Sequence, residues 1–353
     1  YHIAFDRMMA RGATFDIDAA YSNPAGLAWG HEGWQLSLNF QKPWQNRDIT
    51  TTVPNFLAVP NVYEGYKGLV DKKFEGKASA PIVPALFASY KKGRWAVSTM
   101  IGIVGSGGFV KYSDGIPMFN VMTMGKIFEK SLAAKMQGAQ TPVITPDMLD
   151  IDSEVKGKQY IYGGQLNFTY KILDCLSAAA GIRANYYDGY NRGYVTATTL
   201  PSLGGQQLMD LQLDVTQRAW GLAARYEFRT RINTKNDTKA LSVNMMGQQT
   251  DIKAIAGQIG NEATLAALAN NMGEEMAGKI KNYMPDERVR YDMPALLVAA
   301  VGYEFLPNLR ATLEYHFFDD KHAKMANNRQ EKLTHGTHEF LAGVEGDIKI
   351  GRA

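Results

Sequence analysis

Apolar and polar residues alternate in stretches of about ten along most of this 353-residue chain. Trp34, Leu36, Leu38 and Phe40 share one parity, with Gln35, Ser37 and Asn39 on the other. Leu166, Phe168 and Tyr170 interleave with Gln165, Asn167 and Thr169, and Leu309, Ala311, Leu313, Tyr315 and Phe317 with Arg310, Thr312, Glu314 and His316. Successive strand side chains point to opposite faces, so each stretch has one apolar and one polar face. A soluble sandwich turns the apolar face inward; a transmembrane β-barrel turns it toward lipid.

Connections and aromatics favour the barrel. Four short connections are expected at 91–94, 173–175, 217–219 and 306–308, each with an aromatic on the apolar parity beside it: Tyr90 and Trp95, Tyr170, Trp220, and Tyr303 with Phe305. Tyr and Trp settle where a ring is buried and its polar atom stays wet, as at a membrane interface. The other connections, 54–76, 113–156, 199–206, 233–286 and 319–336, are longer. Short turns at one end and long loops at the other is the asymmetry of outer-membrane barrels. Mean hydropathy is −0.25 despite 45% hydrophobic residues, and no run of 18 apolar residues occurs, which excludes a helical span.

Ten strands are predicted near 33–43, 78–91, 94–112, 157–172, 175–198, 207–217, 219–232, 287–305, 309–318 and 337–349. The apolar parity flips at 217–219: Met209, Leu211, Leu213 and Val215 precede the flip, and Trp220, Leu222, Ala224, Tyr226 and Phe228 follow it. A turn, a bulge or missing residues would each produce that flip. Arg183, Arg225, Glu227, Asp210, Asp214, Arg310 and Glu314 fall on polar parities and predict a polar lumen.

Two loops change period. In 117–137, Val121, Met124, Phe128, Leu132 and Met136 recur every three to four residues, and in 252–284 Ile252, Ile255 and Ile259 are followed by Leu265, Leu268, Met272, Met276 and Ile280. These are amphipathic helices inserted in loops near 113–156 and 233–286. The stripes are expected to pack on the barrel rim or on the other helix. Methionine adapts to varied apolar shapes, so Met124, Phe128, Leu132, Met136, Leu268, Met272 and Met276 are candidate residues for an apolar ligand groove.

Other chemistries lack a signature. Gly105-Ser106-Gly107-Gly108 has no Lys-Ser/Thr to make a phosphate loop, the six histidines form no HExxH, and no nucleophile is paired with a base. A net charge of +3 with mixed signs leaves no footprint for nucleic acid. Cys175, the single cysteine, forms no intrachain disulfide. No cofactor, metal site or enzymatic activity is expected.

Asp18-Ala19-Ala20-Tyr21-Ser22-Asn23-Pro24-Ala25-Gly26-Leu27 resembles the Asn-Pro-Ala motif of the FadL family of outer-membrane transporters for hydrophobic compounds. Met293-Pro294-Ala295-Leu296-Leu297, Gly302-Tyr303-Glu304-Phe305 and the stretch from Leu309 to Asp320 resemble that family's late strands. The resemblance implies a fourteen-stranded antiparallel barrel plugged by an N-terminal hatch, with capture by apolar extracellular loops and lateral exit through the wall. It puts Asn23, Pro24 and Ala25 in a hatch over 1–32, with the barrel over 33–353. About ten strands rather than fourteen are visible and no terminal aromatic closes the chain, so further C-terminal strands and a removed signal peptide are expected.

The expected function is passive uptake of hydrophobic molecules such as long-chain fatty acids across the bacterial outer membrane, in contact with its lipid. The alternative is a non-transporting barrel that serves as a partner in a secretion or surface-assembly complex.

Overall fold

The computed structural model describes residues 1–353 except 1, 3, 6–7, 54–68, 141–142, 146–147, 175, 225–229, 246–247, 252–277, 279–280, 283, 285–286, 307–308 and 347–353. The fold is all-β and antiparallel. Its strands are β1 (Gly33–Gln41), β2 (Trp44–Val53), β3 (Leu69–Ser79), β4 (Val83–Lys92), β5 (Trp95–Tyr112), β6 (Leu149–Leu173), β7 (Leu176–Thr199), β8 (Gln207–Ala224), β9 (Thr230–Met245), β10 (Gln248–Asp251), β11 (Arg288–Met293), β12 (Leu296–Leu306), β13 (Leu309–Phe318) and β14 (Thr337–Gly346). Eleven strands form one sheet, and β12-β13-β14 form a second. The connectivity is an up-and-down meander, the simplest way to build a long antiparallel sheet from hairpins. Among the described residues no ladder joins β14 to β1 or links the two sheets.

Burial runs inside out. Asn39, Ser89, Ser98, Gln165, Asn167, Thr169, Asn185, Thr312 and Glu314 are buried, while Trp34, Leu36, Leu38, Phe40, Leu166, Phe168, Ile182, Trp220, Val301, Leu313 and Phe340 are exposed. Soluble monomers rarely expose a large contiguous apolar patch, and an exposed one marks a surface made for a partner or for lipid. Strand register gathers its aromatics into two rows. In one, Tyr162 pairs with Tyr186 and Tyr186 with Trp220, with ring centroids 6.4 and 4.7 Å apart. In the other, Trp34, Tyr90 and Trp95 lie at 4.9 and 5.6 Å, and Trp95 pairs with Tyr170. From Tyr162 to Tyr170, β6 advances about 26 Å at roughly 3.3 Å per residue.

Several expectations need correction. The parity flip at 217–219 is no turn: β8 runs straight through it, with Gln217, Arg218 and Ala219 paired to Gly189, Asp188 and Tyr187. Odd-numbered positions face inward on both sides of the flip, Val215 and Ala219 both being buried. What changes is the environment. Below the flip the outward residue is Trp220; above it the outward residues are Arg218, Thr216, Asp214, Gln212 and Asp210, and the inner face turns apolar beneath a loop helix. Asp210 and Asp214 therefore do not line the lumen. β6 makes the same switch, from outward Leu166 and Tyr162 to Lys158, Lys156 and Glu154.

β9 and β10 occupy 230–245 and 248–251, overlapping the loop expected over 233–286 ahead of its helical stretch, whose residues 252–277 lie outside the described ones, and β6 begins at Leu149 inside the loop expected over 113–156. β9 opens on a polar stretch of Asn, Lys and Thr and carries an apolar parity only at its end, Leu241, Val243 and Met245. The hairpin β2–β3 also escaped the sequence reading, because its residues are polar on both faces. Of the four expected short turns, those at 91–94, 173–175 and 306–308 join paired strands.

Candidate functional site

The N-terminal segment packs on the polar face of the large sheet, the position expected of the plug. α1 (Ala19–Ser22) leads into a 3-10 turn, Pro24–Trp29, with Pro24 at its first position, where the missing N–H costs nothing. Ala19, Ala20 and Leu27 pack on Ala85, Phe87, Ala96 and Met100 of β4 and β5. Small residues on both sides bring the plug backbone within hydrogen-bonding reach of the wall. Gln165 Nε2 and Asn167 Nδ2 donate to the Ala20 carbonyl at 3.1 and 2.9 Å, Thr169 Oγ1 donates to the Pro24 carbonyl at 2.8 Å, and Ser177 Oγ donates to the Ala25 carbonyl at 2.8 Å. A buried peptide carbonyl needs such a partner. Asn23 closes the turn from within: its Nδ2 donates to the Thr14 carbonyl at 3.1 Å.

The same plug touches the second sheet. Gly12 N donates to Glu314, Arg11 Nη1 lies 3.6 Å from Glu345, and the Arg310 guanidinium lies 5.6 Å from the Phe15 ring centroid. A side chain added at Gly302 would meet Ala13, and one at Gly343 would meet Met8. Both sheets thus face one short segment, as the two sides of a curved wall around a plug do.

Arg11 is the plug's buried fastener. It is 4% exposed and bonds Asp18 through Nε at 2.7 Å and Nη2 at 2.8 Å, with Asp16 and Thr14 completing its fork. Burial opposes its charge, but the Asp18 and Asp16 carboxylates outweigh it and push its pKa up. Removing one member of a buried pair typically costs about 3–5 kcal/mol, because the other is left desolvated. Arg11→Met should therefore expose the N-terminal segment to limited proteolysis while the strand circular-dichroism signal persists. An unchanged digestion pattern would refute the fastening role.

Above the plug, Arg183 on β7 stacks 4.6 Å from the Tyr21 ring centroid and donates to Gln165 Oε1 at 2.9 Å. Asn185 comes next, buried, with neither amide atom hydrogen-bonded to a described residue. The wall then turns apolar through Ile161, Ala219, Tyr187 and Met293.

The loop helix α2 (Pro117–Met136) packs on the inner face beyond that tier. Its Ile127 joins Ala197, Leu208 and Met209, with Leu149, Ile151 and Leu211 around them. The helix is folded into the mouth of the sheet rather than standing outside it.

Of the candidate groove residues, Met124 and Phe128 are buried, Leu132 is half-buried, and Met136 is 81% exposed. Leu268, Met272 and Met276 lie outside the described residues, as does Cys175. The wall contacts Gln165, Asn167, Thr169 and Ser177 were missed by the sequence reading. Their signal is a run of amide and hydroxyl side chains, without charge, on the polar parity next to a short turn.

No family model matches the chain, and no curated protein matches it. It is similar to two solved structures. With the toluene transporter TbuX of Ralstonia pickettii it shares 10% identity at a TM-score of 0.40, over 93% of this chain and 74% of that one. With the toluene transporter TodX of P. putida the values are 11% and 0.36, over 95% and 72%. At TM-scores below 0.5 such likeness does not by itself establish a shared fold.

Proposed function

We propose that the chain is an outer-membrane β-barrel that takes up hydrophobic molecules, long-chain fatty acids being the class to test first. The inside-out burial carries this reading: an apolar outer band between two aromatic rows, around a wall sealed by a hydrogen-bonded plug. The band on β6, Tyr162 to Tyr170, is nine residues long, and a tilted transmembrane strand needs about 9–11. No helix among the described residues is long and apolar enough to cross a membrane.

Capture of an alkyl chain by apolar surface gains about 0.8 kcal/mol per CH₂ buried, and the α2 stripe at the mouth supplies such surface. The plug below is held mainly by neutral hydrogen bonds, which can exchange for one another at small net cost. The ligand displaces the plug locally and leaves sideways into the bilayer, because Arg183, Gln165 and Asn167 make a straight axial path unfavourable for an alkyl chain.

Capture and passage separate experimentally. Asn23→Ala removes the bond to Thr14 and should lower uptake of a labelled long-chain fatty acid by cells while equilibrium binding to the purified protein changes little. Met136→Asp, at an exposed position on the stripe, should weaken binding first and leave the melting temperature unchanged. If the purified protein binds no apolar ligand and its deletion leaves uptake intact, transport fails and the partner role in a secretion or assembly complex replaces it.

A further inference from the structure

Immediately beyond the Tyr162–Tyr186–Trp220 row, the outward face of β5 to β8 becomes a belt of cations in strict register. Tyr160 pairs with Asp188, and Asp188 with Arg218; Phe109 pairs with Lys158, and Lys158 with Tyr190; Lys111 pairs with Lys156, Lys156 with Arg192, and Arg192 with Asp214. Three cations, Lys111, Lys156 and Arg192, thus sit directly opposite one another on adjacent strands. Like charges in that position are destabilising, and strands are only about 4.8 Å apart.

The internal carboxylates do not balance them. Glu154 is shared by Lys111 at 2.6 Å and Lys156 at 2.5 Å, and Asp188 by Lys158 at 2.6 Å and Arg218 at 3.3 Å; only Arg192 has a carboxylate to itself, Asp214 at 2.8 Å. Five cations therefore face three carboxylates. Glu154 and Asp188 are the less exposed members, at 20% and 18%, so the ammonium and guanidinium groups form the outer surface. The Lys111 and Lys156 hydrogen bonds hold the Glu154 carboxyl below its ordinary range. Tyr190 lies under two of the cations, Lys158 at 5.7 Å and Arg192 at 4.6 Å from its ring centroid, which limits their freedom to swing away. Farther out, Asp150, Asp152 and Asp210 turn the same face acidic, so the positive belt is bounded on that side.

The belt starts at the headgroup layer of the proposed membrane and rises above it: Arg218 lies two residues beyond the aromatic row, Lys158 four, and Lys156 with Arg192 six, about 7, 13 and 20 Å along strands tilted about 45°, or about 5, 9 and 14 Å along the membrane normal, and the polar layer of a bilayer leaflet is about 5–8 Å deep. We propose that Lys111, Lys156 and Arg192, with Lys158 and Arg218 beneath them, form a binding site for the phosphate groups of a phosphorylated glycolipid in the outer leaflet. The inference rests on the membrane reading above, and its occupant is the lipid rather than free phosphate. The lipid's acyl chains would lie on the apolar band while its phosphates meet the belt, so one molecule satisfies both surfaces.

The test uses the full chain in phosphatidylcholine nanodiscs containing diphosphoryl lipid A, the same lipid A after dephosphorylation, or neither. Lipid retained after detergent extraction is quantified by mass spectrometry. Retention of the diphosphoryl form is expected, with loss on dephosphorylation and no competition by inorganic phosphate at millimolar concentration. The triple variant K111Q/K156Q/R192Q should retain about tenfold less, whereas K111R/K156R, which keeps the charges, should retain as much as wild type. Equal retention of both lipid forms, displacement by inorganic phosphate, or full retention by the triple variant overturns the proposal. Failure of the wild-type chain to insert as a heat-modifiable barrel is a separate outcome and overturns the membrane reading itself.

Discussion

Leu166→Arg is expected to abolish most membrane assembly, whereas Gln212→Arg is expected to be nearly silent. Both positions are exposed and both lie on outward strand faces. Leu166 is midway between Tyr162 and Tyr170, at the centre of the apolar band, where an arginine costs about 2–4 kcal/mol in lipid. Gln212 lies beyond the cationic belt, where water solvates the new charge. The heat-modifiable fraction after refolding into lipid, and the urea midpoint of that fraction, measure the difference. The pair isolates lipid from burial, since a soluble sandwich would penalise neither exposed site. Equal folding of the two variants would sink the membrane assignment. Leu313→Arg, 65% exposed on β13, should behave like Leu166→Arg. Thr312 cannot serve as its tolerant neighbour: although on the polar parity it is buried, paired with Gly302 of β12, where an added side chain would meet Ala13 of the N-terminal segment.

Gly26→Val should dislodge the plug while leaving the wall intact. A Cβ at Gly26 would lie 2.4 Å from the Thr14 carbonyl oxygen and 2.8 Å from Asn23 Nδ2. The first obstacle is backbone and the second is the side chain that closes the turn, so neither can yield without opening it. Movement of the turn breaks the Thr169 and Ser177 hydrogen bonds to the Pro24 and Ala25 carbonyls. Each carbonyl left buried and unpaired costs about 1–3 kcal/mol, so the docked plug should be disfavoured at least about tenfold. Folded protein should then be cut by protease within the first 32 residues, and ligand passage should lose its dependence on Asn23. Retention of a protease-resistant N-terminus would show that the turn does not hold the plug. The double substitution Thr169→Ala and Ser177→Ala, made from the wall side, should give a milder version of the same phenotype.

The Asn-Pro-Ala segment was legible because its residue types act locally: Pro24 starts a turn, Asn23 bonds across it, and Gly26 permits the close return. Which side chains receive its carbonyls was not legible. Gln165 and Asn167 are separated from Ala20 by 145 and 147 residues, and Ser177 from Ala25 by 152. No local pattern encodes such pairings; they follow from where the meander brings the wall around the plug. The stripe of Met124, Phe128, Leu132 and Met136 was correctly read as helical, but the period says nothing about depth. Packing of Ile127 beneath the mouth buries Phe128 and leaves Met136 outside.

The sequence shows about ten strands where the described residues form fourteen. β8 is divided at its parity flip, β11 and β12 merge across Pro294, the hairpin β2–β3 and the short β10 carry no clear alternation, and β9 falls in an expected loop because only its end, Leu241, Val243 and Met245, has an apolar parity. A strand's period of two reports which faces differ, not which solvent each face meets. Where β8 leaves the apolar band, its inner face gains the α2 helix and its outer face gains water, so the apolar parity inverts with no change in backbone.

By itself, then, the sequence determined the class: alternating segments, short turns flanked by aromatics, no helical span, and a plug motif ahead of the first strand. These are one-dimensional consequences of strand geometry and of what each side chain prefers as solvent. Only the tertiary structure decided that the apolar face points outward, that the aromatics and cations of separate strands form level rows, and that both sheets grip one plug. Those depend on register across strands, and register is set by pairings between residues far apart in the chain.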